Sequence, residues 1–346
     1  MTRNPWIRTS SRKSLGITFL TLVSFFSLFS GDVSGAAPSI ASVQARITDL
    51  QIQATSIAES AQQSQVELIN LTRSLSSIQA RDGAQTATLK ALKRSIGIIA
   101  VEQYKNGMLG QGMTLIFSSD PTQYLNSAQS LKVVETQNAI KMRKYATVDI
   151  QLKSTAIRLR QQVKLVAAAK AKYAAQEVAA QAKLKEAQAI LTHLSTAQRA
   201  RLITLQIARD KKYQSNSLAL IRKGVSASGA PGVALKFAMR QLGSKYVFGA
   251  AGMIYWDCSG LTMRALGAAG ISVPHSAAAQ SQYGKYVPLN QARPGDLLFF
   301  GQPISHVGIY FGGGQMLDAP HSGARVRIEK FGRYFGSKQL VAVRRF

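Results

Sequence analysis

From Ile40 to Ile99 the apolar residues recur in steps of three and four, and the phase never slips. Ile40, Val43, Ile47, Leu50, Ala54, Ile57, Ala61, Ser64, Leu68, Leu71, Leu75 and Ile78 form one seam, which resumes after Asp82 and Gln85 with Leu89, Leu92, Ile96 and Ile99. A strand alternates with period two, so only a long helix keeps these residues on one stripe. A strict 3.5 repeat also predicts a second helix wound along that stripe as a coiled coil, because a lone globular helix drifts toward 3.6. At about 1.5 Å per residue the helix would approach 90 Å. Gly107, Gly110, Gly112 and Pro121 break the pattern and predict chain reversal between residues 107 and 126. There Ser119 or Asp120 would cap the returning helix, with Pro121 in its first turn. No glycine or proline follows until beyond Lys212, and Tyr145, Val148, Leu152, Leu159, Val163, Val166 and Tyr173 keep a looser seam. The alanine-rich stretch 167–189 reads as a solvated or partner-binding helix face.

Ahead of this region lies a different pattern. Arg3, Arg8, Arg12 and Lys13 precede an apolar run from Leu15 to Phe29, and small residues follow at Val33 to Ala37. These are the three parts of a secretory signal peptide over residues 1–36, with a run shorter than the roughly 20 residues a membrane span needs. An uncleaved anchor is the alternative. The mature chain is expected to be secreted, extracellular or associated with a cell wall. The formal net charge of +27 is spread along the chain. It divides into roughly +3 up to residue 39, +15 up to residue 225 and +9 beyond, so no single basic tail accounts for it. Such a field favours polyanions, including the anionic polymers of a bacterial wall. No zinc-finger, RNA-binding or helix-turn-helix pattern supports nucleic acid as the partner.

Residues 213–231 are rich in serine and glycine and predict a flexible linker between a helical hairpin at 37–212 and a compact domain at 232–346. In the compact domain a helix is expected over Val233 to Leu242 and another after Cys258. Strands are expected at Asp296 to Phe300, His306 to Phe311, Gln315 to Ala319, Arg325 to Glu329 and Leu340 to Arg344. Helices followed by an antiparallel meander make this an α+β domain.

Cys258 is the only cysteine in 346 residues. An odd cysteine in a secreted chain is a buried spectator, an intermolecular crosslink or a working thiol. Its position before the helix-compatible run Leu261 to Ala269 puts it at a helix N-terminus, which is expected to lower the thiol pKa and favour a nucleophilic thiolate. Such a nucleophile needs a base. Of the four histidines, His193 lies in the helical region, His275 in a polar loop and His321 in a turn, whereas His306 opens a strand containing Gly308. His306 is therefore the chosen base. If Gly312, Gly313 and Gly314 form a three-residue hairpin loop, Gly308 opposes Asp318 and the side chains of His306 and Asp318 share a face. Asp318 could then hold the imidazole as the third member of a triad. A two-residue loop would turn Asp318 to the other face, and a surface strand-end aspartate is the alternative. One cysteine and scattered histidines offer no metal-ligand spacing, so neither a metal nor another cofactor is expected.

The stretches Gly243–Ala250, Asp257–Leu261, Pro274–Gln280, Arg293–Phe300 and His306–Phe311 run in the order found in the NlpC-type papain-like peptidases, which the last third of the chain resembles. The resemblance implies Cys258 as nucleophile, His306 as base and Asp318 as the polar third residue. Tyr246 and Ser259 are the implied substrate-binding residues. It further implies a cysteine endopeptidase acting on peptidoglycan stem peptides, most often between D-glutamate and the diamino acid. Three positions depart from the usual pattern: members often carry Trp at Phe248, Arg at His275 and His at Asp318. The stretch Phe117–Pro121 resembles, more loosely, the coiled-coil segments of secreted division-associated murein hydrolases. That likeness implies regulation of the enzyme or docking on a membrane division complex of the FtsEX type, and the coiled coil could also self-associate. A non-catalytic wall-binding adaptor, and an amidase or acyltransferase on the same fold, are the alternatives.

Overall fold

The computed structural model describes residues 39–105, 121–332 and 334–346. The expected signal peptide and most of the expected reversal, including the capping residues Ser119 and Asp120, lie outside the described residues. Helix α1 spans Ile40–Lys105 and helix α2 Pro121–Thr192. They run antiparallel: Arg46 binds Glu186, Ser64 binds Gln176 and Gln85 binds Thr155, so residues early in α1 meet residues late in α2. Leu50, Ala54, Ala61, Ser64 and Ile78 are buried on the predicted seam, while Ile69, Ile98 and Val101, which lie off it, are exposed. Gln85, where the apolar pattern lapses, accepts a hydrogen bond from Thr155 at 2.8 Å, so the lapse is filled by a polar contact across the pair. No helix among the described residues is long and apolar enough to cross a membrane.

The expected linker is largely helix. The chain turns at His193 to Ser195 and enters helix α3, Thr196–Lys223, under a capping box in which Ser195 and Gln198 satisfy each other's backbone N–H. Helix α3 continues through Tyr213 and Ser217 because these residues have partners in the following domain. The Arg327 guanidinium lies 4.0 Å from the centre of the Tyr213 ring, and the buried Ser217 hydroxyl accepts from the Ile328 N–H at 2.9 Å. Only residues 224–228 separate α3 from helix α4, Gly229–Met239. Composition pointed to a flexible connection, and tertiary contacts instead extended the helix.

Beyond α4, a short parallel pair, β1 (Lys245–Tyr246) and β2 (Tyr255–Trp256), leads into helix α5, Cys258–Ala268. A single-turn helix α6, Ala277–Gln280, follows. Then come β3 (Lys285–Tyr286), β4 (Leu297–Phe300), β5 (His306–Gly312), β6 (Gln315–Asp318), β7 (Arg327–Lys330), β8 (Tyr334–Phe335) and β9 (Lys338–Arg345). They form an antiparallel sheet in the order β3-β9-β4-β5-β6-β7, with β8 paired to β9. The domain is thus α+β, as its element pattern predicts.

Strand β4 is buried on both faces and shows the period of two. Leu297 and Phe299 pack with Leu261, Ala265 and Leu266 of α5 and with Leu235 of α4. Leu298 and Phe300 pack on the other face with Met316 and Val343. At about 25 cal/mol per Å² of apolar area removed from water, each such side chain contributes roughly 1.5–3 kcal/mol. The sheet is therefore a rigid support for what its strand ends carry.

Candidate active site

Asp257 caps α5: its Oδ1 accepts from the Gly260 N–H at 2.6 Å, which sets Cys258 at the first residue of the helix. Gly260 is required there. A Cβ at that position would come within 2.4 Å of the Ala250 carbonyl and 2.9 Å of His275 Nε2. His275 takes the Asp257 carboxylate at 2.8 and 3.0 Å from its Nε2. Burial alone would lower the His275 pKa, but its hydrogen bond to Asp257 and the carboxylate charge raise it above the ordinary histidine value. At the position where the resembled peptidases often carry Arg, this chain thus places an imidazole against the Asp257 carboxylate.

His306 begins β5 and Asp318 ends β6. Their connection differs from the predicted loop in an instructive way. Gly312 pairs with Gln315, so the turn holds two residues, Gly313 and Gly314, both with positive φ. A bulge between Tyr310 and Gly312 then restores the register, and Tyr310 faces Met316 while Ile309 faces Leu317. The two-residue turn would have turned Asp318 away, and the one extra residue of the bulge turns it back. His306 Nε2 consequently lies 2.8 Å from Asp318 Oδ2, with both residues about 1 % exposed. Gly308 leaves room for this: a Cβ there would sit 2.9 Å from Met316 Sδ and 3.3 Å from the Asp318 Cβ. The imidazole stacks on Phe335 at 5.2 Å between ring centres. Burial presses the His306 pKa down to about 3 and the Asp318 pKa up to about 7, because a sealed apolar setting penalises the charged form of each. His306 Nδ1 has no hydrogen-bond partner among the described residues.

Cys258 is not joined to His306. Its Sγ donates to Oε1 of Glu59, on α1, at 3.1 Å. Ser259 Oγ donates to the same oxygen at 2.6 Å, and the Ala277 N–H donates to Oε2 at 3.0 Å. Burial, together with the carboxylates of Glu59 and Asp257, pushes the thiol well above its ordinary pKa. The lowering expected from the helix N-terminus is overridden, because desolvation and two neighbouring acids outweigh a partial positive charge. Tyr246 is buried beside the thiol, and desolvation first, then the charges of Cys258, Asp257 and Glu59, raise its phenol well above the ordinary value. Ser259 lies where its hydroxyl reaches a carboxylate next to the thiol. Of the remaining histidines, His193 falls in the turn before α3, and His321 is buried with Nδ1 bonded to the Ser322 carbonyl.

Two sets of residues were not singled out in the sequence. One is the stripe of α1 that touches the domain. Thr55 Oγ1 accepts from the Ser322 N–H at 3.4 Å, Gln62 Nε2 donates to Asp257 at 3.3 Å, and Gln63 Oε1 accepts from Ser276 at 2.9 Å. Its signal was present as polar residues interrupting an alanine-rich turn of the helix, with Glu59 among the few acids of a basic region. The other is Lys338 at the start of β9, whose ammonium donates to the Ser305 carbonyl at 3.3 Å and is within electrostatic reach of Cys258, Glu59 and Asp318. Nothing in its local sequence marks it.

Residues 243–345 match the NlpC/P60 family. The gamma-D-glutamyl-L-lysine dipeptidyl-peptidase of Bacillus subtilis is 40 % identical over 109 residues, which is 30 % of this chain and 37 % of that protein. The peptidoglycan endopeptidase RipA of Mycobacterium tuberculosis is 39 % identical over 110 residues, 32 % of this chain and 23 % of its own length. The alignments thus span less than two-fifths of these relatives. A solved structure of NlpC2 from Trichomonas vaginalis is 30 % identical, with 36 % of this chain and 48 % of that chain covered at a TM-score of 0.33.

Proposed function

We propose, from the NlpC/P60 match of residues 243–345, that this chain is a secreted peptidoglycan hydrolase, a cysteine endopeptidase that cuts stem-peptide amide bonds at the D-glutamyl–diamino acid link. The observation that carries the reading is the buried His306–Asp318 pair in the same domain as a sole cysteine at a helix N-terminus. His306 Nδ1, free of any other partner among the described residues, takes the thiol proton while Asp318 holds Nε2. The Cys258 thiolate attacks the carbonyl carbon, and the C–N bond breaks as His306 returns the proton to the leaving amine. Water, deprotonated by the same imidazole, then hydrolyses the thioester and frees Cys258. Ser259 Oγ and the Ala277 N–H form a seat for a carboxylate beside the thiol, which suits a glutamyl residue linked through its side chain with its α-carboxylate free. The α1–α2 hairpin serves regulation or partner docking in this reading, and the basic surface favours residence on an anionic wall.

The test is to incubate purified muropeptides with the full chain, with its Glu59→Ala form and with Cys258→Ala, and to identify products by mass. A fragment beginning with the diamino acid, absent with Cys258→Ala, is the expected result. Cleavage at a different amide points to an amidase on the same fold. No cleavage by any form, together with retained binding to wall peptides, replaces the enzyme reading with an adaptor.

A further inference from the structure

We infer that Arg327 is a positioning residue for His306: locked between the Tyr213 ring and Glu329, it supplies the counter-charge that keeps Asp318 a hydrogen-bond acceptor and so leaves Nδ1 of the imidazole free as the base. The inference rests on the peptidase reading of the site and adds a residue behind the set of Cys258, His306 and Asp318.

Local structure brings Arg327 there. Asp318 ends β6 and Arg327 begins β7, and the two are paired directly across the strands. Directly opposed residues of an antiparallel pair share a face, with Cβ atoms about 4.5–5.5 Å apart. The Arg327 guanidinium donates from Nε and Nη2 to Glu329, on the same strand, at 2.7 and 3.0 Å. It also lies 4.0 Å from the centre of the Tyr213 ring, which α3 presents to it. Ser217, one turn further along α3, accepts from the Ile328 N–H and fixes the helix beside the strand. Arg327 is 8 % exposed, so fork, ring and strand together set its place.

Asp318 needs such a neighbour. It is buried, its Oδ2 is bound to His306, and its Oδ1 has no hydrogen-bond partner among the described residues. One hydrogen bond does not offset the desolvation of a carboxylate. The charged and titratable groups acting on it are Arg327 and Glu329 on β7, Lys338 on β9 and His306 on β5. Burial pushes the Asp318 pKa up to about 7, and Arg327 is the largest influence pulling it back. Lys338 pulls the same way, but burial lowers its own pKa, whereas a guanidinium keeps its charge. Glu329 is raised to about 7 as well, by burial first and then by the Asp318 charge, so it neutralises the guanidinium only in part. A buried ion pair is often no more stabilising than apolar residues of the same volume, so packing alone gives no reason for one at this place.

The charge of Asp318 decides which imidazole nitrogen can work. An ionised Asp318 accepts from Nε2–H and leaves the Nδ1 lone pair free. A protonated Asp318 donates to Nε2 instead, and the ring's own proton then sits on Nδ1, where it blocks transfer from the thiol. The guanidinium fork is given to Glu329, so Arg327 acts on Asp318 through its field, which is strong where water is excluded.

Imidazole nitrogen NMR of full-length protein labelled at histidine distinguishes the two tautomers, and His306→Gln identifies the signal. At about pH 8 Arg327→Met should raise the Nδ1–H share of His306 about 5-fold over wild type, with Arg327→Lys recovering most of the difference. Tyr213→Leu loosens the guanidinium without removing it; it should change the share in the same direction and replaces Arg327→Met should that variant lack a cooperative thermal transition. With a defined muropeptide at about pH 7, Arg327→Met should lower kcat about 5-fold with KM little changed, and by less than about 2-fold when Asp318→Asn is already present. An unchanged tautomer share overturns the inference, and so does an equal loss of kcat with and without Asp318→Asn. A changed share with no cleavage by any form leaves the placement of Arg327 standing and removes the peptidase reading.

Discussion

His306 Nε2 stands 2.8 Å from Asp318 Oδ2, and the pairing exists because a bulge at Phe311 offsets a two-residue glycine turn. The placement of Asp318, the proposed third member of a triad, is thus set by one unpaired backbone residue at the far end of the hairpin. Asp318→Asn keeps the shape of the side chain and removes its charge, so the imidazolium formed during attack loses its stabilising partner. In a Glu59→Ala background, which removes the carboxylate hydrogen-bonded to the thiol, kcat should fall about 10²- to 10⁴-fold with KM little changed. Steady-state kinetics on a defined muropeptide check this, and an unchanged kcat would remove Asp318 from the machinery.

His275 is expected to stabilise the loop before α6 through Asp257. His275→Ala leaves a fully buried carboxylate with only the Gly260 N–H and weaker donors, and should lower stability by about 2 kcal/mol, discounted for the partial exposure of the imidazole. His275→Arg should recover most of that loss, since a guanidinium can bind the same two oxygens. Urea unfolding of the three forms provides the comparison, and a neutral His275→Ala would contradict the pairing.

Lys338 is held below its ordinary pKa by burial, with the thiol, Glu59 and Asp318 pulling the other way. A cation so placed favours the thiolate. In the Glu59→Ala background, Lys338→Met should raise the pH midpoint of Cys258 alkylation by about one unit. An unshifted midpoint would mean that the ammonium is too well screened to act on the thiol.

His321 has its pKa lowered to about 4 by burial, against an ordinary value of 6.5. The unfolded chain therefore binds more protons than the folded one between those values, so this histidine's contribution to stability is present above about 6.5 and is lost as pH falls toward 4. His321→Gln should narrow the gap between stability at pH 7 and at pH 4 by an amount on the order of 2 kcal/mol. Asp318 and Glu329 shift in the opposite sense, both raised to about 7, so the difference between variant and wild type, rather than either curve, carries the result.

Much of the C-terminal domain was legible in the residues. The strand beginning at His306 and the helix N-terminus at Cys258 follow from local pattern, whereas the face shared with Asp318 was expected only for a three-residue loop and is reached instead through a two-residue turn and a bulge. The turn between β5 and β6 was not resolved in detail, because three consecutive glycines fit a three-residue loop and a two-residue turn with a bulge equally well. The linker was misread for a related reason. Serine and asparagine at 215–217 weaken a helix by their own propensity, and only the contacts of Tyr213 with Arg327 and of Ser217 with Ile328 restore it.

The sequence by itself determined the two long helices, the seam that joins α1 to α2, the main strands of the sheet and the one thiol in the chain, because period, capping and residue count act over short distances. It did not determine the state of that thiol. A helix N-terminus lowers its pKa, and a distant helix bringing Glu59 against it raises it well above the ordinary value. That outcome depends on two segments 199 residues apart meeting in one desolvated place, where burial and a neighbouring carboxylate outweigh what the local backbone supplies.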